Sequence, residues 1–196
     1  SDSGPRNDAD ASIPEDFDAS SPEERPVLPA GLTSYLSGRA EDSLPDGARG
    51  GLLLAGGGAD VDEAMAWAIE RAGGGDVVVL RTSGADGYND YLHEEIGGVD
   101  SVETLLVTSS AHADSDYVRW VVDHAELIFL AGGDQWSYLD TWRGTELQWA
   151  LGRAVERGAV LGGTSAGCAI LGEVAFSAEN DTVYSSEALE DPYNPY

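Results

Sequence analysis

Ala159-Val-Leu-Gly-Gly-Thr-Ser165-Ala-Gly-Cys-Ala-Ile170 decides how the rest of the chain is read. A short apolar run leads into Gly162-Gly163, a serine stands between Gly163 and Gly167, and a helix-forming run begins at once. Gly-x-Ser-x-Gly after a strand and before a helix is the pattern of a nucleophile elbow. Small neighbours permit a sharp turn there, which lifts the hydroxyl out of the chain. Ser165 is the candidate nucleophile, at the positive end of the predicted helix. The Ala166 amide then points to where a tetrahedral oxyanion would form. Cys168 falls inside that helix and reads as a small buried hydrophobe. It is the only cysteine, so the chain offers neither a disulfide framework nor a CxxC metal pair.

Working outward, residues 51–55, 77–82, 103–108 and 127–131 are further apolar runs that close on or beside Gly, Ser or Thr. Between them lie stretches of helical spacing: Val61, Ala64, Met65, Ala68 and Ile69; then Tyr117, Val118, Val121 and Val122; then Leu147, Ala150, Leu151, Ala154 and Val155. Short strands alternating with amphipathic helices predict an α/β fold, a three-layer arrangement with a parallel sheet of five strands covered on both faces. Ligands gather at the carboxyl ends of such strands, where this chain concentrates its glycines.

Two more of these ends stand out. Ala55-Gly-Gly-Gly-Ala-Asp60 suits close backbone approach to a ligand through Gly57 and Gly58, or equally a tight turn capped by Asp60. It is no phosphate loop, since no Lys-Ser/Thr pair follows the glycines. Ala131-Gly-Gly-Asp-Gln135 lets backbone amides face a cleft, places Gln135 to read a polar substrate group, and offers Asp134 as a helix cap. A serine nucleophile needs a base, and the histidines are His93, His112 and His124, all ahead of Ser165. In elbow hydrolases the histidine follows the nucleophile; here none does. His124 is expected at the amino side of the sheet, while His93 and His112 have loop or helix-start contexts.

Charge narrows the partners. The chain has 36 Asp plus Glu against 10 Lys plus Arg, every cation is arginine, and the formal net charge is -26. A field of that sign repels nucleic acid and anionic membrane surfaces, and no apolar run approaches the ~20 residues of a membrane span. Residues 1–48 read as an acidic, largely irregular extension, with 32–44 as a short helix, and residues 49–196 as the domain that carries the chemistry. The opening on Ser1 and the polar, proline-bearing start fit a removed leader, so a secreted or periplasmic location is expected.

Taken together, the triple glycine after the first strand, Phe129-Leu-Ala-Gly-Gly-Asp-Gln135 and Gly163-Thr-Ser-Ala-Gly167 resemble the serine peptidase family of cyanophycinase and dipeptidase E, on its cyanophycinase branch. The resemblance implies a class I glutamine-amidotransferase-like fold without a cofactor or metal. It also implies hydrolysis next to aspartyl residues, with β-aspartyl-arginine peptides as substrates. It makes Ser165 the nucleophile, the amides of Gly133 and Ala166 the oxyanion hole, and Gln135 the residue that binds the aspartyl portion. Gly57 and Gly58 border the substrate. The family's Asp-x-His-Phe-like segment and the arginines after it have no counterpart here, which leaves Asp181 or Glu179 as candidate acids by analogy with the dipeptidase branch. The C-terminal part of the fold is therefore expected to be missing from this chain. A second fragment of the same precursor is the expected partner and source of the histidine, with a homodimer as a further arrangement. The alternatives are an aspartyl dipeptidase-like enzyme, a catalytically dead binding module of the same fold, and an ordinary α/β-hydrolase esterase.

Overall fold

Val77-Val-Val-Leu80 has no polar residue to turn towards water, and all four side chains are buried. Successive residues of a strand point to opposite faces, so this run needs apolar cover on both sides. Val78 and Leu80 pack into one core with residues of two long helices, and Val77 and Val79 pack into the other. The computed structural model describes residues 24–194, apart from 44, 46, 181 and 183. Most of the acidic opening stretch and the candidate acid Asp181 lie outside the described residues.

In chain order the elements are β1 (Thr33–Gly38), β2 (Gly51–Ala55), α1 (Asp62–Ala72), β3 (Asp76–Arg81), α2 (Gly87–Asp90) with a π-helical turn (Tyr91–Ile96), and β4 (Ser101–Leu106). Then come α3 (Ser110–Ala113), α4 (Asp116–His124), β5 (Leu127–Leu130), α5 (Gln135–Trp142), α6 (Glu146–Arg157), β6 (Val160–Thr164), α7 (Ala166–Ala169) and α8 (Ser185–Glu190). One mixed sheet of six strands runs β1-β4-β3-β5-β6-β2. Five of them are parallel, as the α/β reading requires, and β1 joins the edge of β4 antiparallel. Met65, Ala68 and Ile69 of α1 fill the core on one face, whereas α4, α5 and α6 fill the other.

The expected helix over 32–44 is not formed. Thr33 and Tyr35 favour a strand, and the open edge of β4 offers backbone partners that a short isolated helix lacks. Gly38, at φ +94°, ends the strand in a conformation closed to most side chains. The sheet thus has a sixth strand, drawn from the stretch read as an irregular extension. A second departure concerns α1. Asp60 does not cap it; Val61 is the N-cap residue and makes no side-chain bond, while Asp60 accepts a 3.0 Å hydrogen bond from the Tyr88 hydroxyl.

Strand order also locates the cleft. From β3 the chain steps to β4 on one side, then returns to lay β5 on the other. Crossovers diverge at such a switch point and leave a crevice at the carboxyl ends of the strands. The loops after β2, β3, β5 and β6 all open there. At the far edge, β2 turns Leu53 into the core and leaves Leu52 and Leu54 about 60% exposed.

Candidate active site

Thr164 and Ala166 are buried, and Ser165 between them is exposed. Its backbone sits at φ 50° and ψ -121°, a region that costs a non-glycine residue of order 1–3 kcal/mol and persists only where the surroundings enforce it. Here the enforcement is visible. The Ser165 amide donates to Ala55 of the neighbouring β2 at 3.1 Å, and the Ser165 carbonyl accepts from Ala169. The turn is closed by glycines that have no room for a side chain. A Cβ on Gly163 would lie 2.7 Å from the Gly167 backbone, and one on Gly167 would lie 2.6 Å from the Ala131 carbonyl oxygen. The Gly-x-Ser-x-Gly pattern is therefore a packing requirement of this turn. One expectation is corrected: α7 is a single helical turn of 4 residues, too short to develop much of a dipole. Electrostatic help for an oxyanion falls to individual amides. Cys168 lies on this turn, partly buried.

Two other glycine loops converge on the serine. Gly57, at φ +92°, approaches so closely that a Cβ would stand 3.1 Å from Ser165 Cβ and 3.3 Å from Oγ. Gly58 faces open space. After β5, Gly132 packs against Ser165 so that a Cβ on it would stand 3.4 Å from Ser165 Cβ, which brings this loop to the serine. That loop is held from beneath by Tyr138, whose hydroxyl donates to the Ala131 and Gly132 carbonyls at 2.8 and 3.2 Å. Burial pushes the Tyr138 phenol up to about 12, so it remains a donor at any physiological pH; the Arg81 charge partly offsets that rise. Asp134 caps α5 as expected, accepting from the Trp136 and Ser137 amides. The Ser137 hydroxyl and those amides hold its carboxyl below the usual range.

Gln135, the first residue of α5, donates its amide to the Phe176 carbonyl at 3.3 Å. It ties the loop after β5 to the segment beyond α7. Glu179 is exposed on the wall of a cavity of about 520 Å³ shared with Trp136, Tyr138, Trp142, Arg143 and Leu171. Among the described residues, none of its recorded partners is a histidine.

The histidines do not assemble with Ser165. His93 lies against Gly38, which pairs with Ser101 at the start of β4, and is thus at the amino end of the sheet. The ring of His124 stacks on Trp120, and its Nδ1 lies 2.7 Å from the Trp120 carbonyl, just ahead of β5, as expected. His112 follows β4 at the correct end, but beside Gly31 at the β1 edge. Three strand spacings separate β4 from β6, about 14 Å at the usual ~4.8 Å per strand. Sequence reading overlooked the loop after β3, where Ser83 Oγ lies 3.9 Å from a Cβ built on Gly133. The available signal was Arg81-Thr-Ser83 directly after an apolar strand, the same pattern that marked the other loops.

The sequence model of peptidase family S51 matches residues 88–190, more than half of the chain. Cyanophycinases of Synechococcus elongatus and Thermosynechococcus vestitus are each 32% identical over 154 residues. The aligned part is 72% of this chain and 47% of each relative, so the chain spans about half the length of the curated relatives it matches. In fold it resembles a peptidase from an acI-B1 Actinobacterium, with a TM-score of 0.50, 23% identity, and coverage of 64% of this chain and 58% of that one. The matched residues include the loop after β5, the turn around Ser165 and the segment beyond it, and on that ground this chain is a member of peptidase family S51.

Proposed function

We propose that the chain carries the nucleophile half of a serine peptidase that cleaves next to aspartyl residues, with β-aspartyl-arginine peptides as substrates. The carrying observation is the strained, exposed Ser165, held by Gly163 and Gly167 and approached by Gly57 and Gly132. Ser165 Oγ attacks the scissile carbonyl and loses its proton to a base. The amides of Gly133 and Ala166 take the oxyanion, the amine leaves with the proton, and water releases the acyl group. Gln135 then contacts the aspartyl portion in place of the Phe176 carbonyl.

In this reading the base comes from polypeptide other than residues 1–196. Two histidines at the wrong end of the sheet and a third some three strands away support it, as do exposed Leu52 and Leu54 on the open β2 edge, whose carboxyl end adjoins Ser165. A fluorophosphonate probe tests the nucleophile. We expect one tag, on Ser165, located by peptide mass and lost in Ser165→Ala, which also loses hydrolysis by about 10⁶-fold. Residues 1–196 alone should release little β-aspartyl-arginine dipeptide; full activity from that monomer would place the base within the chain and point to His112. The histidine positions also favour a second reading, a binding module without catalysis. An untagged Ser165 in the protein containing all its polypeptide would establish that one.

A further inference from the structure

Arg81 is the last residue of β3, the strand at the switch point. The chain immediately folds back around its guanidinium. Nε donates to the Ser83 carbonyl at 2.6 Å and Nη1 to the Ala85 carbonyl at 2.8 Å. Gly84 crosses at φ +95°, where any Cβ would collide with Nη2. Three consecutive loop residues thus form a cradle that fixes the direction of the guanidinium with neutral carbonyls. Its charge is left intact. Among the described residues no carboxylate lies within ion-pairing distance of Arg81, although the chain carries a net charge of -26.

Among the described residues, seven other arginines have structural uses, whereas Arg143 is exposed on the wall of the cavity beside Trp136 and Glu179. Arg25, Arg39, Arg49, Arg119 and Arg153 form ion pairs. Arg71 and Arg157 bind backbone carbonyls at the amino end of the sheet. Arg81, unlike those seven, seats its charge at the carboxyl end, and there it borders a pocket of about 380 Å³ with Asp60, Asp62, Gly87, Tyr88 and Tyr91. Both pocket carboxylates already have donors, Tyr88 on Asp60 at 3.0 Å and Tyr91 on Asp62 at 2.8 Å. Two loops connect the pocket to the Ser165 turn. Asp60 ends the loop whose Gly57 touches Ser165, and Ser83 of the cradle faces Gly133.

We propose that Arg81 is a specificity-determining residue of the Ser165 site, receiving a carboxylate of the substrate on the Nη1–Nη2 end of its guanidinium. The proposal rests on the peptidase reading above and adds the group that selects the substrate. Nε and one Nη1 hydrogen are committed to the cradle, and the remaining Nη hydrogens form the end-on fork that matches a carboxylate bidentately. An acidic peptide approaching so negative a protein meets a repulsive field, and a fixed cation without an ion-pair partner, two strands from Ser165 at the same end of the sheet, supplies the local attraction. The carboxylate comes either from an acidic side chain or from a peptide C-terminus.

Matched peptides decide between these sources: an aspartyl peptide against its asparaginyl twin, and a C-terminal acid against its amide. In the protein with its full polypeptide, Arg81→Gln should lower kcat/KM for the recognised acid by roughly 10- to 100-fold, the usual range for a charge-assisted bond, and leave the uncharged twin within about 2-fold. Arg81→Lys, which keeps the charge and loses the fork, should fall between. Equal losses on acid and uncharged substrates, or none, would overturn the proposal. A second measurement needs no turnover. N-acetyl-aspartate titrated into Ser165→Ala should move the Arg81 Nε–H resonance and bind at least 10-fold more weakly once Arg81→Gln is added; an unmoved resonance refutes the role of Arg81. Should no peptide be hydrolysed at all, the peptidase reading fails, and this titration still settles Arg81 by itself.

Discussion

Replacing Gly167 with alanine tests the packing that creates the serine turn. The added Cβ would lie 2.6 Å from the Ala131 carbonyl oxygen and closer still to that of Leu130. Carbon and oxygen normally approach to about 3.3 Å, and the Leu130 oxygen would lie only 2.1 Å from the new Cβ, so α7 must withdraw from the end of β5 by roughly 1.2 Å. Both opposing atoms are backbone, and no side chain can rotate to make room. Overpacking of this kind costs about 1–3 kcal/mol, and the backbone clash puts this variant at the upper end. For a chain of this size, a loss of about 3 kcal/mol lowers Tm by roughly 6–12 °C. Gly152→Ala is the control. Gly152 lies within α6, where a Cβ meets nothing within 4 Å, so alanine should stabilise by about 0.5–1 kcal/mol through helix propensity. Circular dichroism melts of the two variants, run side by side, make the comparison. A Gly167→Ala melting point within about 1 °C of wild type would refute the close seating of the turn on β5, and with it the reason given for the glycine pattern.

Three further outcomes are expected. Gly133→Val should cut turnover by about 10²–10³-fold, the usual loss of one oxyanion donor, because its Cβ would press on the Tyr138 hydroxyl at 3.0 Å and re-aim the loop; near-normal kinetics would make the loop a simple turn. Glu103 is buried beneath Arg25, Ser34 and Tyr117, which all donate to it, so Glu103→Ala should cost about 3 kcal/mol by stranding Arg25, measurable as a lower urea midpoint at unchanged slope. Burial, reinforced by the Asp76 charge, raises the Glu126 carboxyl from 4.5 to about 7. The folded state then binds the extra proton, so this group's stabilisation is complete below about pH 4.5 and is lost as pH rises through about 7. Urea titrations across that window should show stability falling for wild type and a shallower fall for Glu126→Gln, with parallel slopes counting against the assignment.

What the sequence determined by itself is local. Alternating apolar runs and helical stripes are set by which residues can face water, and so the five parallel strands and the helices between them were legible before any coordinates. The Gly-x-Ser-x-Gly turn was legible for the same reason, since its constraint is the small size of adjacent residues. Tertiary structure decided everything that depends on a neighbour distant in the chain. Residues 33–38 are polar enough to pass for an extension, and only the vacant edge of β4, some seventy positions later, makes them a strand. Asp60 looked like a cap until Tyr88 claimed it. His112 and Ser165 stand at the same end of the sheet, and the distance between them follows from strand order, which no local pattern encodes. Arg81 reads in the sequence as the polar end of a strand. Its cradle exists because Gly84 can adopt a positive φ, and its place two strands from Ser165 exists because β3 lies next to β5 and β5 next to β6.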